Sequence, residues 1–188
     1  MLQGLLEDAA WALANAELVC SEAEVQRALD RMAEAVTVRL EGRLPLLMCV
    51  LNGGLIPTVW LATRLRFPLQ IGYLHATRYR GGTRGGSLHW QVPPSLPVAG
   101  RQVLVVDDIY DEGRTLAVIT EELRHRGAAE VLTAVLVNKR HERKVPGFEV
   151  DFPGLEVEDR YVFGCGMDYH ELMRNLPAIY ALREELGG

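Results

Sequence analysis

VLVVDDIYDEGRT, residues 103–115, is the stretch from which the fold is read. Four apolar residues, Val103 to Val106, predict a strand buried on both faces, and Asp107 and Asp108 then stand at its C-terminal end. In an open α/β sheet that edge is where ligands bind. Two adjacent carboxylates repel, so they require a metal, hydroxyl donors or basic groups. Asp111-Glu112-Gly113-Arg114-Thr115 then turns into a helix. Gly113 lets the backbone approach a ligand closely, Thr115 offers a hydroxyl, and the first helical amides face an anion. Carboxylates for sugar hydroxyls beside amides for a phosphate describe a ribose-phosphate site.

The flanking sequence supplies the rest of an α/β alternation. Upstream, the first forty residues read as helical, with a Ser21–Glu24 capping box ahead of Val25, Leu29, Met32, Val36 and Leu40 at helical spacing, and Gly42 as the stop. Leu46–Leu51 reads as a doubly buried strand, Asn52-Gly53-Gly54 breaks it, and Pro57 opens a helix to about Leu65. Leu69–Tyr73, Gln102–Val106 and Glu130–Val137 read as further strands, and Thr115–Arg126 as a helix closed by Gly127. The fold class is therefore α/β, an open, mostly parallel sheet flanked by helices. Residues 78–89, with four glycines and three arginines, read as a mobile basic loop, and the proline-rich residues 91–100 as an ordered connector. Beyond Arg140 a polar segment, a short strand at Tyr161–Phe163 and a final helix are expected to form a small cap. The whole, 1–188, is read as one domain whose cap comes mainly from about residues 145–188.

Composition narrows the function. With 48% hydrophobic and 24% charged residues, the 188-residue chain is ordinary for a soluble globular domain. A net charge of −5 argues against nucleic-acid binding. No apolar run is long enough for a bilayer and the N-terminus lacks a basic leader, so no membrane role and a cytoplasmic location are expected. Three scattered cysteines make no CxxC pair, and the five histidines make no i, i+4 pair of the zinc-binding kind. A Walker A loop would need glycine where Asp108 stands, and no GxGxxG follows a strand. A receiver-type phosphorelay domain would group acids near its first strand, and has no use for a Gly-Arg-Thr phosphate loop.

Residues 105–115 resemble the PRPP-binding signature of type I phosphoribosyltransferases, an acidic pair followed by D-x-G-x-T. Further matches resemble the hypoxanthine-guanine branch of that family, in order along nearly the whole chain. Val50–Gly54 looks like its pyrophosphate loop, with Asn52, Gly53 and Gly54, and His75–Tyr79 like the start of its flexible catalytic loop. Leu136–Lys139 is similar to the strand end that carries a base-recognising lysine. Asp159–Gly164 with Met167–Tyr169 is similar to the purine-binding cap, and Arg174 falls at a pyrophosphate-contacting arginine. Three positions depart from the pattern: Glu112 replaces a frequent threonine, Arg114 a frequent lysine, and Asn52 a basic residue, which removes a direct charge contact to pyrophosphate.

The resemblance implies transfer of the phosphoribosyl group from PRPP to hypoxanthine or guanine, with pyrophosphate released. It implies that Asp107 and Asp108 hold the ribose hydroxyls and, with Asp168, Mg²⁺; that Asp111 is the general base; and that Glu112, Gly113, Arg114 and Thr115 hold the 5-phosphate. Lys139 would donate to the purine 6-oxo group, Tyr161 would stack on the ring, the backbone of Val162 would read its edge, and Arg78 and Tyr79 would close over the site. A dimer or tetramer is likewise implied. The alternatives are a xanthine-preferring enzyme and a non-catalytic PRPP-sensing regulator, the latter usually carrying a DNA-binding domain.

Overall fold

A computed structural model of the chain describes residues 2–78 and 88–183. Helix α1 (Leu2–Ala14), strand β1 (Ala16–Cys20) and helix α2 (Glu22–Leu40) come first, followed by β2 (Leu46–Val50), α3 (Leu55–Ala62), β3 (Gln70–Arg78) and β4 (Leu88–Val92). The second half runs β5 (Gln102–Tyr110), α4 (Arg114–His125), β6 (Glu130–Arg140), β7 (Phe152–Glu158), β8 (Val162–Phe163) and β9 (Ile179–Leu182). Ser21 caps α2 through the expected reciprocal box: its side chain accepts from Glu24 N–H, and the Glu24 carboxylate accepts from Ser21 N–H.

Six strands form the main sheet in the order β4-β3-β2-β5-β6-β7, all parallel except the β3–β4 pair. Alternate residues of the central strands serve different layers. Leu47, Leu104 and Val106 pack with Val25, Leu29, Met32 and Val36 of α2 and Leu61 of α3. Leu46, Met48, Val103 and Val105 pack with Leu116, Ile119 and Leu123 of α4. A strand apolar at every position is what two helical layers demand. From β2 the chain crosses to β3 on one side; from β5 it crosses to β6 on the other. The crevice between the carboxyl ends of β2 and β5 is thus the switch point of the sheet, where ligands of open α/β folds bind.

The structure corrects the sequence reading in several places. The first forty residues are not continuously helical, because Ala16–Cys20 forms β1 and pairs antiparallel with β9. No final helix stands among the described residues: residues 179–182 form β9 instead. The pairing of β1, β9 and β8 into a small second sheet joins segments more than 140 residues apart, so no local periodicity signals it. β7 was not foreseen either; it extends the main sheet at the edge beside β6. β5 runs on to Tyr110 and β6 to Arg140, so Asp107, Asp108 and Lys139 lie within strands rather than just beyond them. Tyr79 and most of the expected basic loop lie outside the described residues, and Arg78 closes β3. Among the described residues no helix is long and apolar enough to cross a membrane.

Candidate active site

A cavity of about 530 Å³ opens at the switch point, lined by Gly53, Asp107, Asp108, Asp111, the 112–115 turn, Arg143 and Arg174 among others. One side of it is backbone. Gly113 caps α4 with φ +78°, and a β-carbon there would sit 2.1 Å from the ring of Tyr110. Only glycine fits that turn without strain. Tyr110 is itself pinned: its hydroxyl donates to the Phe148 carbonyl at 2.7 Å, and Lys144 Nζ lies 4.2 Å from its ring centre. Val145 N–H donates to the Glu112 carbonyl, tying the turn to the following loop. The first amides of α4 have no acceptor within the helix and are free for an anion. The Glu112 carboxylate, which would otherwise repel an anion at this turn, is paired with Arg114 at 2.9 Å.

The acidic pair forms the floor. Asp108 is buried, and its backbone N–H donates to Asp107 Oδ1 at 2.9 Å. Burial, and then the Asp108 charge, push the Asp107 carboxyl well above its ordinary range; burial also raises Asp108. Glycines let the chain close round these groups: a β-carbon on Gly53 would lie 2.0 Å from Asp108 Oδ2. Gly54 sits behind them against the Val50 and Val106 carbonyls, and the exposed Asn52 joins Leu51 through a cis peptide in the same turn.

Elsewhere in the site, side chains hold one another. Lys139 Nζ lies 3.1 Å from Asp111 Oδ2 and 3.8 Å from Asp159 Oδ1, with its side chain only 12% exposed. Lys139 is therefore not one member of a solvated charge run, unlike Arg140 beside it, which pairs with Glu156 at the surface. His141 Nε2 lies 2.7 Å from Asp111 Oδ1. Burial pushes Asp111 up, but hydrogen bonds from His141 and Lys139 outweigh it and hold the carboxyl below its usual range. Arg143 pairs with Asp159 at 2.7 Å. Asp111, His141 and Asp159 offer ligand atoms within 4.8 Å of one another. The Lys139 ammonium already lies against both carboxylates, so this cluster is a salt-bridge network rather than a metal cradle.

Arg174 binds the Gly166 carbonyl at 2.8 Å and Asp168 at 2.8 Å, which links the cap to the cavity. Asp168 also accepts from Glu171 N–H. Tyr161 is 52% exposed, with its hydroxyl on the Asp168 carbonyl and its ring edge-on to Tyr169. It is a presented ring, not a core aromatic. Val162 is buried in β8, its backbone in register with Ala181. The described site thus gathers Gly53, Asp107, Asp108, Asp111 to Thr115 and Arg174 around one cavity, and joins Lys139 to it through Asp111. Asn52, Gly54, Asp168, Tyr161 and Val162 stand in adjoining turns and cap rather than on the cavity wall. Sequence reasoning missed His141 and Arg143 as site residues and named Asp159 only as the start of the cap match; His141 and Arg143 follow β6 in a loop, where no strand or helix period marks them.

A family model described as the phosphoribosyl transferase domain matches residues 21–170. The hypoxanthine-guanine-xanthine phosphoribosyltransferase of Tritrichomonas foetus is 32% identical over 87% of this chain and 89% of its own. The hypoxanthine-guanine phosphoribosyltransferase of Lactococcus lactis is 30% identical over 90% of this chain and 92% of its own. Among solved structures, a hypoxanthine phosphoribosyltransferase from Staphylococcus aureus superposes with a TM-score of 0.84 at 28% identity, covering 92% of this chain and 94% of that one.

Proposed function

This chain belongs to the phosphoribosyl transferase domain family, and from that premise we infer that it transfers the 5-phosphoribosyl group of PRPP to hypoxanthine or guanine. The products are IMP or GMP and pyrophosphate, the chemistry of purine salvage. The observation that carries this reading is the one cavity on which a carboxylate pair, Asp108 buried and Asp107 partly so, a glycine-turned helix N-terminus and a lysine-paired aspartate converge.

Each group has work suited to its setting. The 112–115 turn offers amides and the Thr115 hydroxyl to the 5-phosphate. Asp107 and Asp108 hold the ribose hydroxyls and favour the positive charge that develops on the ring as the bond to pyrophosphate breaks. Arg174, on the cavity wall, faces the leaving pyrophosphate. Asp111 takes the proton of the purine ring nitrogen. Lys139, which offers only donors, turns from Asp111 to the 6-oxo group, and the loss of that donor raises the basicity of Asp111 as the base arrives. Tyr161 stacks on the ring, the backbone of Val162 reads its edge, and Arg78 and Tyr79 close the site against water.

Mg²⁺ suits the acidic pair. The oxygen donors are hard, and among the described residues the cation acting on them, Arg174, does so from beyond ion-pair contact while bound to Asp168. Asp107, Asp108 and, from the cap, Asp168 would hold the ion, which when bound supplies neutralisation of charge on the leaving pyrophosphate. A cytoplasmic homo-oligomer, dimer or tetramer, completes this reading.

Purified protein with PRPP, Mg²⁺ and each nucleobase in turn tests it. IMP and GMP should form, and only with Mg²⁺ present; PRPP binding without product from any purine would instead make the protein a sensor. A second reading, use of xanthine, is favoured by the name of the Tritrichomonas relative, and the same assay with xanthine decides it.

A further inference from the structure

We propose that His141 is a positioning residue for the general base, anchoring Asp111 Oδ1 so that Oδ2 alone receives the purine proton. The proposal rests on the assignment of Asp111 as base, and it begins from a hydrogen bond on the far side of the imidazole. The backbone N–H of Arg143 points at His141 Nδ1, 3.1 Å away. A backbone N–H can only donate, so Nδ1 is an acceptor and the ring proton sits on Nε2. Nε2 faces Asp111 Oδ1 at 2.7 Å, so the imidazole donates to the carboxylate. The His141 side chain is 5% exposed, which leaves little access for water to replace it as donor.

Lys139, next to last in β6, and His141, in the loop just beyond that strand, both reach Asp111. They divide its carboxylate between them: Lys139 holds Oδ2 and His141 holds Oδ1. When Lys139 turns to the purine 6-oxo group, Oδ2 is released and Oδ1 is not. The ring nitrogen of the purine then forms its bond to the anomeric carbon, its proton passes to Oδ2, and pyrophosphate departs with the electron pair of the broken C–O bond. His141 keeps its own proton throughout. Without it, Asp111 would be free to rotate at the moment its other partner leaves, and loss of about 1 Å in placement lowers rates by up to about 10²-fold.

The charged groups around the pair define what a pH profile reports. Asp111 faces His141 from the turn after β5, Lys139 from β6, and Asp159 from the segment after β7; Arg143 and Lys144 approach from the loop of His141 itself, and Glu112 lies beside Asp111. Removing the His141 donor takes away one hydrogen bond that favours ionised Asp111. The acid limb of the rate profile should therefore move to higher pH.

The test compares His141→Ala, His141→Gln and Asp111→Asn in single turnover with hypoxanthine and saturating PRPP and Mg²⁺. His141→Ala should slow the chemical step about 10- to 10²-fold, leave PRPP affinity unchanged and shift the acid limb upward. The amide N–H of His141→Gln should restore most of the rate and return the limb towards its original position. Nitrogen-15 spectra of the wild-type protein with IMP should show His141 protonated at Nε2 and bare at Nδ1, a reading that needs no variant to fold. A proton on Nδ1, or a His141→Gln protein no faster than a folded His141→Ala, overturns the proposal. So do wild-type rate and limb in His141→Ala beside a crippled Asp111→Asn, and in that case the base assignment survives. Full activity in Asp111→Asn removes the base assignment, and the proposal falls with it.

Discussion

Residues 111–115 reach the site as one unbroken turn of chain, whereas Lys139, His141, Arg143, Asp159 and Arg174 arrive from three separate segments. The first group works mainly through backbone amides, whose direction is set once Gly113 takes its left-handed conformation against Tyr110. The second works through side chains that already hold one another. A backbone site can receive its phosphate without losing an internal partner. If the purine enters as proposed, the side-chain site must exchange partners, because Lys139 cannot serve Asp111 and the base fully at once. On the proposed function, the phosphate side contributes grip and the base side contributes choice.

The largest expected effect lies where the two halves meet. Asp111 belongs to the turn by sequence and to the lysine–histidine network by contact. Asp111→Asn should lower the single-turnover rate about 10²- to 10⁴-fold, the range for a general base, with modest loss of PRPP binding. Full activity would sink its role. Next comes Lys139→Ala, which should cut discrimination against adenine by about 10²-fold or more, since a site built to donate rejects a 6-amino group strongly. Competition among hypoxanthine, guanine, xanthine and adenine measures it, and adenine winning against the wild-type protein would overturn the assignment.

The phosphate side gives smaller, different effects. Gly113→Ala forces a β-carbon into Tyr110 at a positive φ, strain on the order of 1–3 kcal/mol; denaturant melts should show it, and PRPP affinity should fall while base choice stays unchanged. Altered base choice would mean the two halves are not separable. The smallest effect is a gain. Asp107 has its pKa raised in the folded state, so its stabilising contribution is present below the unfolded value and is lost as pH rises through the folded one. At neutral pH, without ligands, Asp107→Asn should thus melt higher, by about 2–4 °C for each kcal/mol regained, and lose the further rise that Mg²⁺ with PRPP gives the wild type. A lower melting point would show that the pair is already neutralised within the protein.

Legibility followed the same division. Val103–Val106, the acidic pair and the Gly113 turn could be read in order because strand burial, a glycine turn and a helix start are all local properties of contiguous residues. At the edge of a short strand either a core ring or a presented one is possible, so the exposure of Tyr161 is settled by what covers it. His141 carried no signal, because its meaning depends on a carboxylate 30 positions earlier.

What the amino-acid sequence by itself determined is the alternation of strands and helices, the capping of α2 and the strand, glycine turn and helix start within residues 103–115, all governed by interactions a few residues in range. Only the tertiary structure decided that Ala16–Cys20 is a strand, that the chain's last described segment pairs with it, and that Asp111 is shared between Lys139 and His141. Those outcomes depend on partners distant in sequence, where pairing and burial override local preference, and no window of neighbouring residues contains the partner.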